Sequence, residues 1–367
     1  MRFHIKSIMA VFVVLCACYL LYTLAQSKNE NRNASQRSKE NIIGIDSGFN
    51  DDVRELPPIQ AGPSYNSKAI PIVIASDKVT LPGAIATINS IVQHTNHSVK
   101  FYLATSHQSY DHYRAWLANT KLRNVQRLIR IFNEDLVKGK IKVRGGREVL
   151  GSPMNYARYF APQLFPEIRG RMVYIDDDII VQGDIAELYN TDLGEGHLAA
   201  FAEDCHSTSK RFSFYPTTYS SYVNFRNAHV KALNIDPEAC SFNTGVYVAD
   251  VAAWKRENIT AELVRWMELN TREDIYGNQK GGGGSQPPMM IVFYNRYSTL
   301  DPLWHVRSLG LSAGTRYSSE FVHNAKLLHW SGPHKPWERV AAFQEIWDKY
   351  FIPDPSKKFK LLRRKSS

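Results

Sequence analysis

Three consecutive carboxylates, Asp176, Asp177 and Asp178, stand between apolar residues in Val173-Tyr-Ile-Asp-Asp-Asp-Ile-Ile-Val181. In an extended backbone residues i and i+2 share a face, so this spacing projects Asp176 and Asp178 together and turns Asp177 away. Two adjacent carboxylates repel unless a cation lies between them, and the apolar flanks argue against a solvated acidic turn. Hard oxygen donors favour Mg²⁺ or Mn²⁺, ions that also bridge the oxygens of a diphosphate. A second dense motif is Leu327-Leu-His-Trp-Ser-Gly-Pro-His-Lys-Pro-Trp337. His329 ends an apolar run and offers an imidazole nitrogen, which tilts a carboxylate site from Mg²⁺ towards Mn²⁺. Gly332 lets backbone approach a ligand closely, and Lys335 supplies a compact positive charge for a phosphate. A lone histidine at a strand end is more often structural than a ligand. What singles out His329 is its combination with Asp176 and Asp178.

These side chains need a scaffold, and the flanking pattern supplies one. Ile70-Pro-Ile-Val-Ile-Ala75 is a β-rich apolar run, followed by Ala84, Ile85, Ile88, Ile91 and Val92 at helical spacing. Strand patterns recur at 99–105, 125–132, 172–175, 198–202, 245–249 and 327–330, with helical patterns at 110–117, 156–164, 259–270, 288–294 and 341–350. Strands alternating with helices predict an α/β domain over 70–353, its mostly parallel sheet flanked by helices. The Asp triplet ends a strand, where open α/β sheets bind ligands. Gly281-Gly-Gly-Gly-Ser285 lacks the Lys-Ser/Thr of a phosphate-cradling loop.

The chain has 367 residues, 44% of them hydrophobic and 22% charged, as expected for a globular protein. Its net charge of +10 raises a nucleic-acid partner. The tail 354–367 carries +5 of it, and Arg2 and Lys6 another +2. That leaves +3 for residues 7–353, so the charge distribution argues for no nucleic acid. Ile8 to Ala25 is an uncharged apolar run behind Arg2 and Lys6, long enough to span a thin bilayer. Positive charge in front keeps the short tail 1–7 cytoplasmic and sends the rest to the lumen. The run is longer than a usual cleaved signal core, so 8–25 reads as a transmembrane signal anchor. Residues 26–69, polar and broken by Pro57, Pro58 and Pro63, read as a flexible stem. The expected location is the Golgi or endoplasmic reticulum membrane, single-pass, with the large domain lumenal. Sequons at Asn33, Asn96 and Asn258 agree with that. Outside the apolar run only Cys205 and Cys240 remain. In an oxidising compartment they most simply form one disulfide, two buried thiols being the alternative.

Five motifs, in order, resemble glycosyltransferase family 8, whose fold is GT-A, the nucleotide-diphospho-sugar transferase fold. They are Ile72-Val-Ile-Ala-Ser-Asp77, Tyr156-Ala-Arg158, Tyr174-Ile-Asp-Asp-Asp178, Phe242-Asn-x-Gly-Val246 and His329-x-x-Gly332-x-x-Lys335-Pro-Trp337. Glu203-Asp-Cys205, Cys240-Ser-Phe-Asn243 and Ile352-Pro-Asp-Pro355 further resemble animal proteins built on this domain. The resemblance implies a metal-dependent retaining enzyme that moves a hexose-type sugar from a UDP-sugar to an acceptor. It implies Mn²⁺ on Asp176, Asp178 and His329, with Mg²⁺ as the alternative ion. Ala75 and Asp77 would face uracil and ribose, with Arg158 and Asp177 nearby. Gly332 and Lys335 would hold the diphosphate, Asn243 would lie near the transferred sugar, and Asp204 would line the sugar or acceptor side. The family commonly carries an Asp-Gln pair before an apolar helix, contacting the donor sugar; here Ser285-Gln286 stands there. Val79 occupies the position of the family's ribose-side Asn. These departures define a second expectation: a protein of the same fold that binds nucleotide or glycan without transfer. A haloacid-dehalogenase phosphatase also uses Asp-x-Asp, but expects Thr or Val where this chain has Ile180.

Overall fold

The computed structural model describes residues 69–144, 148–205, 217–277, 284–311 and 317–363. The expected anchor (8–25), nearly all of the stem and most of the Gly-rich tract lie outside them. Among the described residues no helix is long and apolar enough to cross a membrane.

Among the described residues nine strands form: β1 (Ile70–Ser76), β2 (Val99–Thr105), β3 (Arg127–Ile131), β4 (Arg171–Ile175), β5 (Ile179–Val181), β6 (Ala199–Glu203), β7 (Phe242–Asp250), β8 (Tyr297–Thr299) and β9 (Leu327–His329). Seven make one sheet in the order β3-β2-β1-β4-β7-β6-β8; β5 and β9 make a small antiparallel pair. The strands β1 to β4 run parallel, as do β6 and β8, whereas β7 is antiparallel to both its neighbours. The sheet is mostly parallel, as expected, and is mixed only through β7. An apolar run records burial on both faces, but nothing in it records strand direction.

The period of two along each central strand divides the interior into two layers. Ile72 and Ile74 of β1, Val173 and Ile175 of β4, and Val246 and Val248 of β7 share one core with helices Leu81–His94 and Tyr110–Ala118. Val73, Met172, Tyr174, Tyr247 and Ala249 face the other, with the 3₁₀ segment Pro153–Phe160 and helices Ile259–Arg272 and Gln286–Phe293. A third cluster gathers Ile180, Leu328, Trp330, Trp337 and Trp347 around the β5–β9 pair.

Two local structures differ from the sequence expectation. The Asp triplet is a turn between β4 and β5, not extended strand. Its geometry follows from the chain leaving the main sheet for the small one. Residues 354–363, read as the start of a basic tail, pack on the domain. Buried Asp354 accepts from His112 Nε2 (2.8 Å) and Phe359 N (2.8 Å), and the Phe359 ring reaches Trp116 and Phe351. A run of lysines hides these apolar and acidic anchors from a compositional reading.

Candidate functional site

The turn at Asp176–Asp178 is pinned from two sides. Asp176 N donates to Gly245 O of β7 (2.7 Å), and Trp330 N, just past β9, donates to Asp178 O (3.0 Å). Residues far apart in sequence therefore converge. Ligand atoms of Asp176, Asp178 and His329 all lie within 4.8 Å of one another. His329 Nε2 is 3.0 Å from Asp178 Oδ1. A Cβ added at Gly245 would stand 2.4 Å from His329 Cε1 and 2.9 Å from Asp176 Oδ2. The glycine thus leaves room for the cluster that any other residue would fill. Two carboxylates and one imidazole around that space form a donor set suited to a divalent ion such as Mn²⁺.

The carboxylates carry different electrostatic loads. Burial alone would raise Asp178, but the Lys335 ammonium and His329 outweigh it and hold its carboxyl below the usual range. Lys335 Nζ forms an ion pair with Asp178 and also donates to Trp330 O (3.2 Å). Asp177 behaves oppositely. Burial, then the charges of Asp178, Asp176 and Asp77, push its carboxyl well above the usual range, against a hydrogen bond with Thr80. Asp177 is the residue that faces away from the ligand cluster, towards the start of helix Leu81–His94. Gly83 on that helix has Asp177 O and the Trp337 ring where a Cβ would go.

Arg158 is buried, with each guanidinium nitrogen engaged. Nε donates to Asn155 O (3.0 Å), Nη1 to Thr244 O (2.6 Å) and Nη2 to Asp176 Oδ1 (2.8 Å). Its carbon lies 4.8 Å from the Tyr174 ring centroid. Burial would lower its pKa, but Asp176 and the surrounding tyrosines more than offset this, so it stays charged. Arg158 therefore orients Asp176.

On one flank Asp77 Oδ1 accepts from Val79 N (2.8 Å) and Thr80 N (3.3 Å), turning the chain from β1 into the helix. Asp77 borders a cavity of about 770 Å³ lined also by Ser106, Asn133, Glu134 and Met154, at the carboxyl ends of β1 to β3. Ala75 is buried at the end of β1. On the other flank, Asn243 Oδ1 accepts from Gly245 N (2.8 Å). Gln286 opens its helix with Nε2 on Phe242 O (2.8 Å). Buried Asp204 receives Ser241 Oγ (2.9 Å) and pairs with Arg307 Nε (2.8 Å). Gly332, at φ +132°, has Gly310 O only 2.3 Å from where a Cβ would be, so its missing side chain lets two backbones pass. The disulfide Cys205–Cys240 ties the end of β6 to the approach to β7.

Sequence reasoning passed over two residues here. Arg307, beside Asp204, carries no motif. His305 Nε2 lies 3.0 Å from His329 Nδ1 in the interior. Burial, with the neighbouring His329 and Arg307, drives its pKa well below the ordinary imidazole value. A single histidine in an irregular stretch gives no signal in sequence.

Comparison with known proteins agrees with this geometry. The family model "Glycosyl transferase family 8" matches residues 71–341. Glycosyltransferase 8 domain-containing protein 1 of Homo sapiens is 44% identical over 299 residues, covering 80% of each chain. Glycosyltransferase 8 domain-containing protein 2 of Mus musculus is 37% identical over 361 residues, covering 97% of each. Among solved structures, the galactosyltransferase LgtC with donor and acceptor sugar analogs aligns at TM-score 0.59 and 16% identity, over 78% of this chain and 98% of its own. A similar fold, a match across most of the domain and relatives that align nearly end to end lead to one conclusion: this chain belongs to glycosyltransferase family 8.

Proposed function

We propose that the chain is a Mn²⁺-dependent, retaining transferase that moves a hexose-type sugar from a UDP-sugar to an acceptor hydroxyl. The observation that carries this reading is the convergence of Asp176, Asp178 and His329 beside Lys335. Those three side chains would hold the ion, which when bound neutralises charge on the leaving diphosphate. Lys335 supplies a second cation, matched best to the phosphate oxygens as the sugar–phosphate bond breaks. Arg158 keeps Asp176 oriented. The cavity beside Asp77 has room for a nucleoside, while Asn243, Gln286 and Asp204 border the sugar side. In a retaining transfer the acceptor approaches from the face the phosphate leaves. The departing oxygen then takes the hydroxyl proton, so no carboxylate is needed as base.

The secretory location belongs to the same proposal: a type II protein of the Golgi or endoplasmic reticulum membrane. The Cys205–Cys240 disulfide and the exposed sequon residues Asn96 and Asn258 support a lumenal domain. Ser285 in place of the expected Asp favours one competing reading, a binding protein without transfer. Purified chain assayed with a panel of UDP-sugars and Mn²⁺ separates the two. Transferase activity predicts metal-dependent UDP release that chelator abolishes and that Asp176→Asn lowers at least about 100-fold. Nucleotide binding with no release from any donor would establish the binding reading instead.

A further inference from the structure

We infer that His305 is a positioning residue for the metal site, fixing the ring of His329 so that Nε2 faces Asp176 and Asp178. The inference rests on the metal-site reading above and adds a component to it. His305 follows the short 3₁₀ turn Pro302–Trp304, and the next residue runs alongside β9. Val306 N donates to Leu327 O (3.0 Å) and His329 N donates to Val306 O (2.9 Å). This backbone clasp holds the two imidazoles across from each other, with ring centroids 5.2 Å apart and Nε2 of His305 3.0 Å from Nδ1 of His329. On its far side, His329 Nε2 is 3.0 Å from Asp178 Oδ1. The space at Gly245 receives His329 Cε1, the carbon between the two nitrogens. The ring is therefore located by a contact at each nitrogen and by a fitted edge.

The partner's chemistry matters as much as its place. While Nε2 of His329 carries a hydrogen towards Asp178, its Nδ1 is an acceptor and needs a donor. When Nε2 gives its lone pair to a metal, Nδ1 carries the hydrogen and needs an acceptor. Imidazole serves as either, according to its tautomer. A ligating histidine usually has its second nitrogen bonded to a carboxylate, carbonyl or water, and losing such a partner weakens metal binding about 10- to 100-fold. In this site a second histidine takes that place.

The test uses full-length chain and Mn²⁺ alone, with affinity measured by calorimetry and by the electron paramagnetic resonance signal of free Mn²⁺. His305→Phe removes both hydrogen-bonding roles, and Mn²⁺ affinity is expected to fall about 10- to 100-fold. His305→Gln, whose amide offers a donor and an acceptor, is expected to restore affinity to within about three-fold of the natural chain. Equal Mn²⁺ affinity in natural chain and His305→Phe overturns the inference, even if the unfolding temperature drops. No Mn²⁺ binding by the natural chain overturns the metal site itself, and this inference with it. If the Phe variant does not fold, ¹⁵N-histidine spectra of the natural chain with Zn²⁺ as a diamagnetic probe decide. A hydrogen on His329 Nδ1 coupled across to His305 is the expected result; a hydrogen on Nε2 overturns it.

Discussion

At the scale of single residues, the proposed metal site depends on one missing side chain as much as on the side chains that would hold the ion. A Cβ at Gly245 meets His329, Asp176 and the Asn243 side chain, all at 3.0 Å or less. Gly245→Ala therefore keeps its apolar neighbours but drives two ligand-bearing groups apart. Displacements near 1 Å at a reacting centre cost about 100-fold in rate, which sets the expected loss of turnover. Mn²⁺ affinity measured on the folded variant should fall as well, and an unchanged affinity would show that the cluster does not need this space. The carboxylates and His329 were legible in sequence because charge between apolar flanks, and a fixed His-x-x-Gly-x-x-Lys spacing, are local signals. Arg158 was legible only as part of a motif. Its bond to Asp176 spans 18 residues and a change of element, and spacing does not encode such a contact. His305 was not legible, since its partner is 24 residues away and its role lies in tautomer and position.

At the scale of elements, apolar periodicity located β1 to β4, β6 and β9 to within about two residues and the middle of β7, while the three-residue strands β5 and β8 are too short to show a period and were not expected. Pairing direction left no mark in the sequence, and β7 emerged antiparallel. The C-terminal segment is the second element that composition obscured. Arg363 forms an ion pair with Asp348, donates to Pro336 O (2.9 Å) and Glu338 O, and lies 5.5 Å from the Trp347 ring centroid. Pro336 and Glu338 immediately follow and flank the loop that carries Lys335. The segment acts as a brace on that loop. Arg363→Ala should raise the KM for the sugar donor about five-fold, equivalent to ~1 kcal/mol of lost hydrogen bonding, with kcat nearly unchanged. Steady-state kinetics on the most active donor measures this, and an unaltered KM would remove the brace from the account.

For the whole molecule, the net charge of +10 and the disulfide bear on different questions. Much of the charge belongs to the two ends of the chain, and the small remainder includes Arg158 and Lys335, both held against carboxylates. The net figure therefore says little about what the domain recognises. The disulfide says more, because it joins two strand ends that border one flank of the site. Cys205 follows Asp204 directly, and Cys240 precedes Ser241, whose hydroxyl donates to the Asp204 carboxylate. A cross-link spanning 35 residues restricts the unfolded chain by about 4 kcal/mol in the loop-entropy description. Opening it acts in two ways. Global stability falls, and the Asp204–Ser241 contact loses its covalent tether while Asp176, Asp178 and His329, pinned through β7 and β9, keep theirs. Cys240→Ser is accordingly expected to lower unfolding stability by about 2–4 kcal/mol in denaturant titration. Below the new melting temperature, Mn²⁺ affinity should remain within about two-fold, since the ligand atoms are not held through this bond. If Asp204 lines the acceptor side, one of the two placements the resemblance implies, transfer to acceptor should fall more than hydrolysis of the donor. Equal losses in both reactions would mean that the disulfide supports the domain as a whole and gives the Asp204 flank no separate role in acceptor use.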